Sequence, residues 1–579
     1  MDIRSPLNQC IALSLAGILF LNPIVAAAAG LALDKAAGGN TGLGQAGNGV
    51  PIVNIATPNG AGLSNNHFRD YNVGANGLIL NNATGKTQGT QLGGIILGNP
   101  NLKGQAAQVI LNQVTGGNRS TLAGYTEVAG QSARVIVANP HGITCQGCGF
   151  INTPRATLTT GKPIMDGQRL ERFQVDGGDI VVEGAELNVG NLEQFDLITR
   201  SAKLNAKLYA KNLNIVTGRN DVQADSLQAT PRAADGSEKP QLAIDSSALG
   251  GMYAGAIRLV GTEQGVGVKL AGDMAASGGD IRIDASGKLS LAQASSQGDL
   301  KIAAQAVELN GKTYAGGSAE IRSAEELVNR QSLAARERIA LEAAHIDNAG
   351  VIEAGVEPDE RRNARGDLEL RSSGTLRNAG SLVASRALEA KASQALDNQG
   401  GSLKGATVRV DGGHLDNRGG KLLAEGELRV EASSLDNRED GLLQSWDRAV
   451  VKTRGDLDNR GGQVVGLNEL QVQAAALDNR SAGLLSSKGD MDIEVARLDN
   501  SAGGKLVSER RTLLKADRLD NRSGRIVAGQ DLDLSSRLID NRAGDISSTS
   551  RVVASAREQL DNRGGKIVGD SGLDITTPR

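Results

Sequence analysis

"LDNRGGKLLAEGELRVEASSLDNR", residues 415–438, contains the pattern that decides the fold. Between residues 427 and 432, charged side chains alternate with leucine, valine and alanine. This period of two predicts a strand with one buried face and one face in water. Glycines at Gly419, Gly420 and Gly426 divide the stretch, which therefore contains two or three short strands rather than one long one.

The Leu-Asp-Asn at both ends of that stretch recurs through the second half of the chain. Successive asparagines lie 19 to 22 residues apart. They are Asn398, Asn417, Asn437, Asn459, Asn479, Asn500, Asn521, Asn541 and Asn562, with Asn348 as an earlier member. A fixed period near 20 residues indicates a solenoid.

The pattern inside one unit favours a parallel β-helix among the solenoids. A leucine-rich repeat has a similar length, but its L-x-x-L-x-L signature and its helical stretch are missing from the sequence. In a β-helix each coil forms a rung, and the rungs stack through parallel hydrogen bonding. The sequence therefore predicts an all-β chain.

The recurring asparagines have a structural and a ligand-binding interpretation. Asparagine tolerates the left-handed conformation that a corner requires, and stacked amides can hydrogen-bond along a column. Calcium-binding β-helices use a Gly-Gly-rich nonapeptide spacing, which this repeat does not have. We therefore expect a structural column of turn residues and no metal site in the repeats.

The first 29 residues predict a cleaved signal peptide. A short polar start with Arg4 precedes an apolar run from about Ile11 to Val25, and an alanine tract suited to signal peptidase follows. A membrane anchor is the alternative, but the apolar run is shorter than the roughly 20 residues that span a bilayer. Cys10 would leave with the signal, so the mature chain keeps two cysteines in an oxidising compartment.

Composition excludes several classes of function. The net charge is −3, and the 62 basic and 65 acidic residues are interspersed, so the sequence predicts no nucleic-acid partner. The four histidines are scattered, and no motif for a nucleophilic serine, a zinc protease or a phosphate-binding loop occurs. We expect no enzyme, no cofactor and no small-molecule substrate. The 76 glycines and 2% aromatic content instead suit many thin, similar layers.

Cys145 and Cys148 stand in a C-x-x-C within "NPHGITCQGCGFINT", residues 139–153. A structural zinc site needs four ligands, and His141 is the one histidine nearby. A redox motif would open a helix, but no helical period follows Cys148. For an exported chain we expect a small disulfide; reduced thiols and a bound metal are the alternatives.

The amino-terminal part resembles a known secretion domain. "NPNL" at residues 99–102, "NPHGI" at residues 139–143 followed by "CQGCGFINTPRATLTTG", and "GGMYAGAIRLVGTEQGVGV" at residues 250–268 carry the resemblance. They are similar to the secretion domain of two-partner-secretion exoproteins, which include filamentous haemagglutinins and contact-dependent growth-inhibition proteins. The repeats that follow resemble haemagglutinin repeats, so the resemblance spans the mature chain.

The resemblance implies a fold and an export route. It implies a right-handed parallel β-helix capped at its amino end, with a secretion domain at residues 30–275 and repeats at residues 276–579. It also implies recognition by the periplasmic domains of a dedicated outer-membrane β-barrel transporter, which passes the chain outward unfolded.

Two motifs of the family map onto this sequence, and we expect both to form turns and to contribute to transporter recognition. They are Asn99, Pro100, Asn101 and Leu102, and Asn139, Pro140, His141, Gly142 and Ile143. His141 stands where asparagine is more usual, which puts in doubt a direct contact by that side chain. A plain β-turn is the simpler interpretation of both motifs.

The sequence leaves the final role open. As an adhesin, the exported rod would bind a receptor of unknown identity on a host or neighbouring cell. Alternatively it is the stalk of a contact-dependent growth-inhibition toxin, and a cytolysin of the same secretion class is a third possibility. The ending "SGLDITTPR" in mid-repeat suggests a longer protein. Arg-Gly-Asp at residues 365–367 and 454–456 would suit an integrin ligand, although similar Gly-Asp-Leu turns recur throughout the repeats.

Overall fold

The computed structural model describes residues 30–578, so the predicted signal peptide and Cys10 lie outside the described residues. Within that range the chain is all β apart from one 3-10 helix, Lys35–Ala37. None of the helices described is long and apolar enough to cross a membrane. The chain divides into two units: residues up to Leu192 together with Asp221–Gln228, and Glu193–Asn220 together with the residues from Ala229 onward.

Strands β1 to β18 are, in order, Leu31–Leu33, Gly42–Gln45, Pro51–Asn54, Leu63–Tyr71, Leu78–Asn82, Thr87–Thr90, Gly94–Leu97, Val109–Val114, Ser120–Leu122, Tyr125–Gly130, Arg134–Ala138, Ile143–Gln146, Gly149–Ile151, Arg155–Thr159, Lys162–Asp166, Arg169–Val175, Asp179–Glu183 and Leu187–Val189.

The first unit is a solenoid with three parallel stacks of strands. One stack runs β4, β8, β11 and β14, another β9, β12 and β17, and the third β3, β5, β10 and β13. Antiparallel pairing occurs where β1 joins β4 and β2 joins β3. Strands β1 and β2 cap the first coil. The unit also contains two antiparallel pairs, β6–β7 and β15–β16.

Strands β19 to β56 are, in order, Gln194–Thr199, Ser201–Leu204, Leu208–Thr217, Asn220–Gln223, Ala229–Pro231, Leu242–Ser246, Met252–Gly261, Gly267–Ala276, Ile281–Ser296, Leu300–Leu309, Lys312–Ala315, Ala319–Ser323, Glu326–Asn329, Ser332–Ala335, Arg338–Asn348, Val351–Ala354, Asp367–Asn378, Ser381–Ala384, Ala387–Asp397, Ser402–Gly405, Thr407–Asp416, Lys421–Ala424, Leu428–Asp436, Leu442–Ser445, Arg448–Thr453, Asp456–Asp458, Gln463–Gly466, Glu469–Asp478, Leu484–Ser487, Asp490–Asp499, Lys505–Ser508, Thr512–Asp520, Arg525–Ala528, Leu532–Asp540, Asp545–Ser548, Arg551–Asp561, Lys566–Gly569 and Gly572–Thr576.

The second unit repeats one coil design. A coil contains a short strand of four residues, such as β40, and a longer strand of nine or ten, such as β41 or β46. Each strand pairs in parallel with its counterparts in the coils before and after, as β40 does with β38 and β42. One coil is 30 residues long between Asn348 and Asn378, because a loop at residues 357–366 interrupts it.

Burial follows the alternation that the sequence shows. In β41, Leu428 and Val430 are fully buried, whereas Arg429 and Glu431 lie on the outer face and contact each other. No phenylalanine follows Phe195 in the sequence, so the repeats fill their core with leucine, isoleucine, valine and alanine. The predicted all-β parallel solenoid is confirmed.

Candidate functional site

The first Asn-Pro turn (Asn99–Leu102) is held by a buried asparagine. Asn99 is 6% exposed, and its Nδ2 donates to the carbonyl oxygens of Asn81 at 2.8 Å and Ile55 at 2.9 Å. Its Oδ1 accepts a hydrogen bond from the backbone N–H of Asn101 at 2.9 Å, and its carbonyl accepts one from Leu102 at 3.4 Å. The Asn99 side chain therefore closes its own turn and fastens it to β5 and to the residue that follows β3.

Asn101 and Leu102 anchor this turn, whereas Pro100 is exposed. The Nδ2 of Asn101 donates to the carbonyl oxygen of Asn40 at 2.7 Å, and the Asn101 carbonyl accepts from Thr57 Oγ1 at 2.7 Å. Leu102 is 1% exposed, whereas Pro100 lies on the surface. Pro100 is thus the part of the motif that a partner can contact in the folded domain.

The second Asn-Pro turn (Asn139–Ile143) repeats this arrangement. Asn139 is fully buried, and its Nδ2 donates to the carbonyl of Asn118 and to Ser120 Oγ, both at 2.9 Å. Its Oδ1 accepts from the backbone N–H of His141 at 2.9 Å, and its carbonyl accepts from Gly142 at 3.1 Å. The two predicted motifs therefore form the same turn around the same buried amide.

The surface of the second turn consists of Pro140, which is half-buried, and His141, which is exposed. Ile143 is fully buried and begins β12. Because His141 contributes its backbone N–H to the turn, a histidine can replace the more usual asparagine there without loss of the hydrogen bond to Asn139.

An arginine that the sequence pattern did not single out fixes the end of this turn. The Arg119 guanidinium donates to Thr144 Oγ1 and Asp179 Oδ1 at 2.7 Å each, and to the Ile143 carbonyl at 3.1 Å. Gly142 has a φ of 107°, and a Cβ there would come within 2.5 Å of the guanidinium. The glycine of the motif is therefore required both by backbone conformation and by the packing of Arg119.

Cys145 and Cys148 are bonded to each other, with their Cα atoms 5.2 Å apart. Both are buried, at 0% and 3% exposure, and the bond joins β12 to the residue just before β13. Gly147, between them, has a φ of 76°, which suits a tight corner. Over residues 30–578, no three histidine, cysteine or acidic side chains converge as a metal site would require.

The recurring asparagines form a continuous column, here called the asparagine ladder. Each Nδ2 donates to the Oδ1 of the ladder asparagine in the next coil, at 2.6 to 2.8 Å. The members are Asn329, Asn348, Asn378, Asn398, Asn417, Asn437, Asn459, Asn479, Asn500, Asn521, Asn541 and Asn562. Asn329 and Asn378 were missed because valine and arginine replace the aspartate before them, although the Leu-x-Asn pattern is kept.

The ladder begins where a leucine takes the asparagine position. Leu309 lies beside Asn329 in the preceding coil, and the buried Oδ1 of Asn329 has no hydrogen-bond partner among the described atoms. From Asn398 to Asn541 the ladder members are fully buried. Amides at these positions are satisfied by their neighbours in the column and by nearby backbone carbonyls, as the Nδ2 of Asn437 is by Gly441 at 2.9 Å.

We expected from the sequence that the ladder asparagines would adopt the left-handed conformation, but none of them has a positive φ. The left-handed conformation falls two residues later in every coil from Asn398 onward. The residues with positive φ are Gly400, Gly419, Glu439, Gly461, Ser481, Ala502, Ser523, Ala543 and Gly564. The asparagine is required for its side chain, and the following residues make the corner.

Aspartate and arginine beside the ladder form a second, more exposed column. Arg438 donates to the carboxylate of Asp436 in its own coil at 2.7 Å and lies 3.5 Å from Asp458 in the next. Burial opposes ionisation of Asp436, but the hydrogen bonds and charge of Arg438 outweigh it and lower the pKa of that carboxyl. At Asp561 the hydrogen bond from Arg563 lowers the pKa to about 2.

The first Arg-Gly-Asp tripeptide is engaged within the fold. The carboxylate of Asp367 accepts a hydrogen bond from Arg386 Nε at 2.7 Å, and this hydrogen bond lowers the pKa of Asp367. Gly366 is buried. This geometry favours the interpretation as a repeat turn, since a receptor would have to displace Arg386 to reach the carboxylate.

Comparison with protein families matches most of the chain. The TPS secretion domain model, for two-partner secretion, matches residues 29–291. The haemagglutinin repeat model matches residues 298–358, 360–404, 388–461, 465–535 and 508–564. A TPS secretion domain implies a partner transporter in the outer membrane, and exoproteins of this class are secreted or displayed at the surface.

Several curated proteins are similar to the chain. A 16S rRNA endonuclease CdiA of Enterobacter cloacae is 52% identical over 285 residues, 49% of this chain and 8% of that protein. A tRNA nuclease CdiA of Escherichia coli strain STEC_O31 is 44% identical over 381 residues, 65% of this chain and 11% of its own. A tRNA nuclease CdiA of Yersinia mollaretii is 40% identical over 382 residues, 65% and 13% respectively. The chain thus spans about a tenth of the length of these relatives.

Among solved structures, the secretion domain of filamentous haemagglutinin is 34% identical, with a TM-score of 0.47. The match covers 50% of this chain and 98% of that one. With a TPS secretion domain followed by haemagglutinin repeats, the chain belongs to the two-partner-secretion exoproteins.

Proposed function

We propose that residues 30–275 form the export unit, which the periplasmic domains of the partner transporter recognise after signal-peptide-dependent passage across the inner membrane. The observation that carries this proposal is the pair of identical Asn-Pro turns inside the matched secretion domain. Each turn closes only its own coil, so coil closure does not explain why the same buried-amide turn occurs twice. Its repetition suits a surface that the transporter recognises.

In this proposal the buried and exposed residues of the turns have separate tasks. Asn99 and Asn139 set the backbone path but are too buried to touch the transporter. Pro100, Pro140 and His141 supply the surface. Substitution of a buried asparagine therefore acts on recognition through the shape of the turn.

The bonded cysteines have a structural role in the same unit. A disulfide formed in the periplasm would stiffen the corner after the second Asn-Pro turn without needing a metal. No residue of the described segment is assigned a catalytic task in this proposal.

Residues 276–579 serve as a rod that carries binding functions away from the cell. The asparagine ladder and parallel pairing make each coil depend on its neighbours, which suits an extended structure built from a short repeat. The leading candidate role is that of an adhesin, whose outer faces contact a receptor on a host or neighbouring cell.

A second candidate is favoured by the names of the relatives. Proteins that are 40% to 53% identical to this chain are named as toxins or as nucleases acting on tRNA or 16S rRNA. In this role the rod would be the stalk of a contact-dependent growth-inhibition system. Co-culture of cells carrying the natural locus with susceptible cells separates the roles: loss of target-cell viability on contact indicates inhibition, and adhesion without killing indicates an adhesin.

Export of the isolated segment tests the recognition proposal. Residues 1–275 are produced with and without the partner transporter, and the medium is assayed for the segment. We expect release when the transporter is present and retention in the periplasm when it is absent. Release at equal levels in both cells would overturn the proposed role of the domain.

A further inference from the structure

The antiparallel pair β6–β7 covers part of the outer face of the third stack of strands in the first unit. Ile96 of β7 is 4% exposed and lies in one apolar cluster with Ile52 of β3 and Ile79 of β5, which are paired neighbours. Gly93, in the turn between β6 and β7, is so close to the sheet that a Cβ there would come within 2.5 Å of Ile79 Cδ1. The pair β6–β7 is therefore a hairpin packed against the solenoid as a second layer.

A buried carboxylate fixes this hairpin in position. Glu127 of β10 is 5% exposed, and its two carboxylate oxygens accept hydrogen bonds from the backbone N–H groups of Gln91 and Leu92, at 2.8 Å each. The Nδ2 of Asn48 donates to the Leu92 carbonyl at 2.7 Å. Hydrogen bonds to a carboxylate are among the stronger ones in proteins. The exposed face of the hairpin is therefore held in one orientation before any partner binds.

That exposed face is apolar and uncharged. The two neighbours of Ile96 in β7, Ile95 and Leu97, are 79% and 76% exposed, and they are the most exposed large apolar side chains in the described part of the chain. Antiparallel pairing places Gly89 opposite Ile95 and Thr87 opposite Leu97. Gly89 has no side chain that could cover Ile95. We call Thr87, Gly89, Ile95 and Leu97 the hairpin surface.

The hairpin surface continues into the first Asn-Pro turn. Strand β7 ends at Leu97, and the exposed Pro100 follows three residues later. Asn99 donates to the carbonyl of Asn81, and the Nδ2 of Asn81 donates to the carbonyl of Leu97 at 3.0 Å. The turn and the end of β7 are thus fastened to the same residue of β5. A partner that contacts Pro100 would therefore also reach the hairpin surface.

The charged residues that flank the hairpin surface in the chain are lysines. Lys86 immediately precedes β6, Lys103 immediately follows the turn, and both are exposed. Residues 71–126 contain no aspartate or glutamate. A complementary partner therefore has an apolar groove for Ile95 and Leu97, with acidic side chains at the rim of that groove.

We propose that the hairpin surface docks in an apolar, acid-rimmed groove on the periplasmic domains of the partner transporter. This inference rests on the proposed export function, and it adds a contact outside the two Asn-Pro motifs. The match to the TPS secretion domain, residues 29–291, includes the hairpin and implies such a transporter. Covering two large aliphatic side chains that otherwise lie in water adds binding free energy to the contact at Pro100.

Photo-crosslinking tests whether the transporter covers this surface. The full chain is produced together with the tagged periplasmic domains of its transporter, and a benzophenone side chain replaces Leu97 or, as a matched control, Leu249, which is 75% exposed. We expect light to crosslink position 97, but not position 249, to the transporter domains. Equal crosslinking from both positions would overturn the proposal. So would a crosslink from position 97 only to a second copy of the chain or to another periplasmic protein, or no crosslink at all.

Variants test the chemistry of the groove. Ile95→Thr with Leu97→Thr keeps residues that favour strands but removes most of the apolar surface, and binding to the immobilised periplasmic domains should weaken at least about tenfold. Lys86→Glu with Lys103→Glu should weaken binding less. Added salt should weaken binding of the wild type more than binding of this charge variant. Leu249→Thr is the control and should bind like the wild type. Wild-type binding by either double variant would contradict the proposal.

Export separates this proposal from the proposed function. Equal release of the wild type with and without the transporter would contradict the proposed function. Normal export and binding of Ile95→Thr with Leu97→Thr, together with retention of Asn139→Val in the periplasm, would contradict the hairpin surface alone. Because both substituted side chains of the first variant are exposed, its thermal unfolding should match that of the wild type. If that variant is destabilised, the crosslink at position 97 decides the question.

Discussion

Buried asparagines hold turns in both units, but they do so in different ways. In the ladder, the side chain of Asn437 bonds to the neighbouring members of the column, Asn417 and Asn459, and its Nδ2 also donates to two backbone carbonyls. In the second Asn-Pro turn, Asn139 bonds instead to its own backbone and to Asn118 and Ser120, which belong to no repeat. The same amide thus serves a periodic stack in one region and a unique shape in the other.

This difference suggests that the ladder stabilises the repeats, whereas the Asn-Pro turns serve recognition by the transporter. A column of identical bonds can be lengthened or shortened by whole coils without changing any one of them. The Asn-Pro turns have no such redundancy, since each depends on acceptors found once in the sequence. We therefore expect changes in the ladder to affect folding of the exported rod, and changes in the turns to affect export itself.

Deletion of part of a coil should have the largest effect on the rod. Removing residues 421–430 takes away β40 and leaves β38 and β42, which both pair with it, without a matching rung. Removing residues 415–434 deletes one whole coil and keeps the register of the ladder. Limited proteolysis should show rapid cleavage near the first deletion and wild-type resistance for the second. Equal resistance would mean that the period is not a structural coil.

A single ladder substitution should come next in size. Asn437→Ala leaves the Nδ2 of Asn417 and the Oδ1 of Asn459 without their partner in a buried column. The Nδ2 of Asn417 keeps the Gly420 carbonyl as an acceptor at 3.2 Å, so the main loss is the unsatisfied Oδ1 of Asn459, which costs about 1–3 kcal/mol of unfolding free energy. Asn562→Ala is the matched control, because Asn562 is half-buried and accepts the last bond of the ladder. Denaturant titration should show the smaller loss there, and similar losses would contradict the ladder account.

Much of this contrast is readable from the sequence, and the reason is periodicity. The 20-residue period and the alternation in residues 427–432 exposed the coil, its buried face and most ladder members. A contact that occurs once in the fold produces no repeated pattern in the sequence. Nothing near Arg119 in the sequence therefore indicates Asp179 as its partner. The left-handed residues were misplaced because glycine, serine, alanine and glutamate all occur at that position, which hides the requirement.

Loss of the disulfide should have a moderate effect, confined to the first unit. It closes a loop of four residues, for which chain-entropy estimates give about 2 kcal/mol. Cys145→Ser with Cys148→Ser should lower the thermal midpoint of that unit and leave the repeats unchanged. In the wild type, labelling without reductant should detect no free thiol, and metal analysis should find no zinc. Stoichiometric zinc would contradict the disulfide proposal.

The aspartate–arginine column should give the smallest effect. The folded pKa of carboxyls such as Asp436 lies below its ordinary value, so their contribution is present above about pH 4 and is lost as pH falls. For Asp561 the loss extends to about pH 2. Arg438→Gln should cost less than about 1 kcal/mol at pH 7, since the pair is partly solvent-exposed. Thermal unfolding at pH 7 and pH 2 should show the difference between variant and wild type shrinking in acid; an unchanged difference would contradict it.

Export of two matched variants tests the separation of recognition from stability most directly. Asn139→Val and Asn437→Val each replace a fully buried asparagine, one in the second Asn-Pro turn and one in the ladder. With the transporter present, the account predicts that Asn139→Val stays in the periplasm. It predicts that Asn437→Val reaches the medium at wild-type levels but is cleaved readily by added protease. Equal export of the two variants, or retention of Asn437→Val alone, would contradict it.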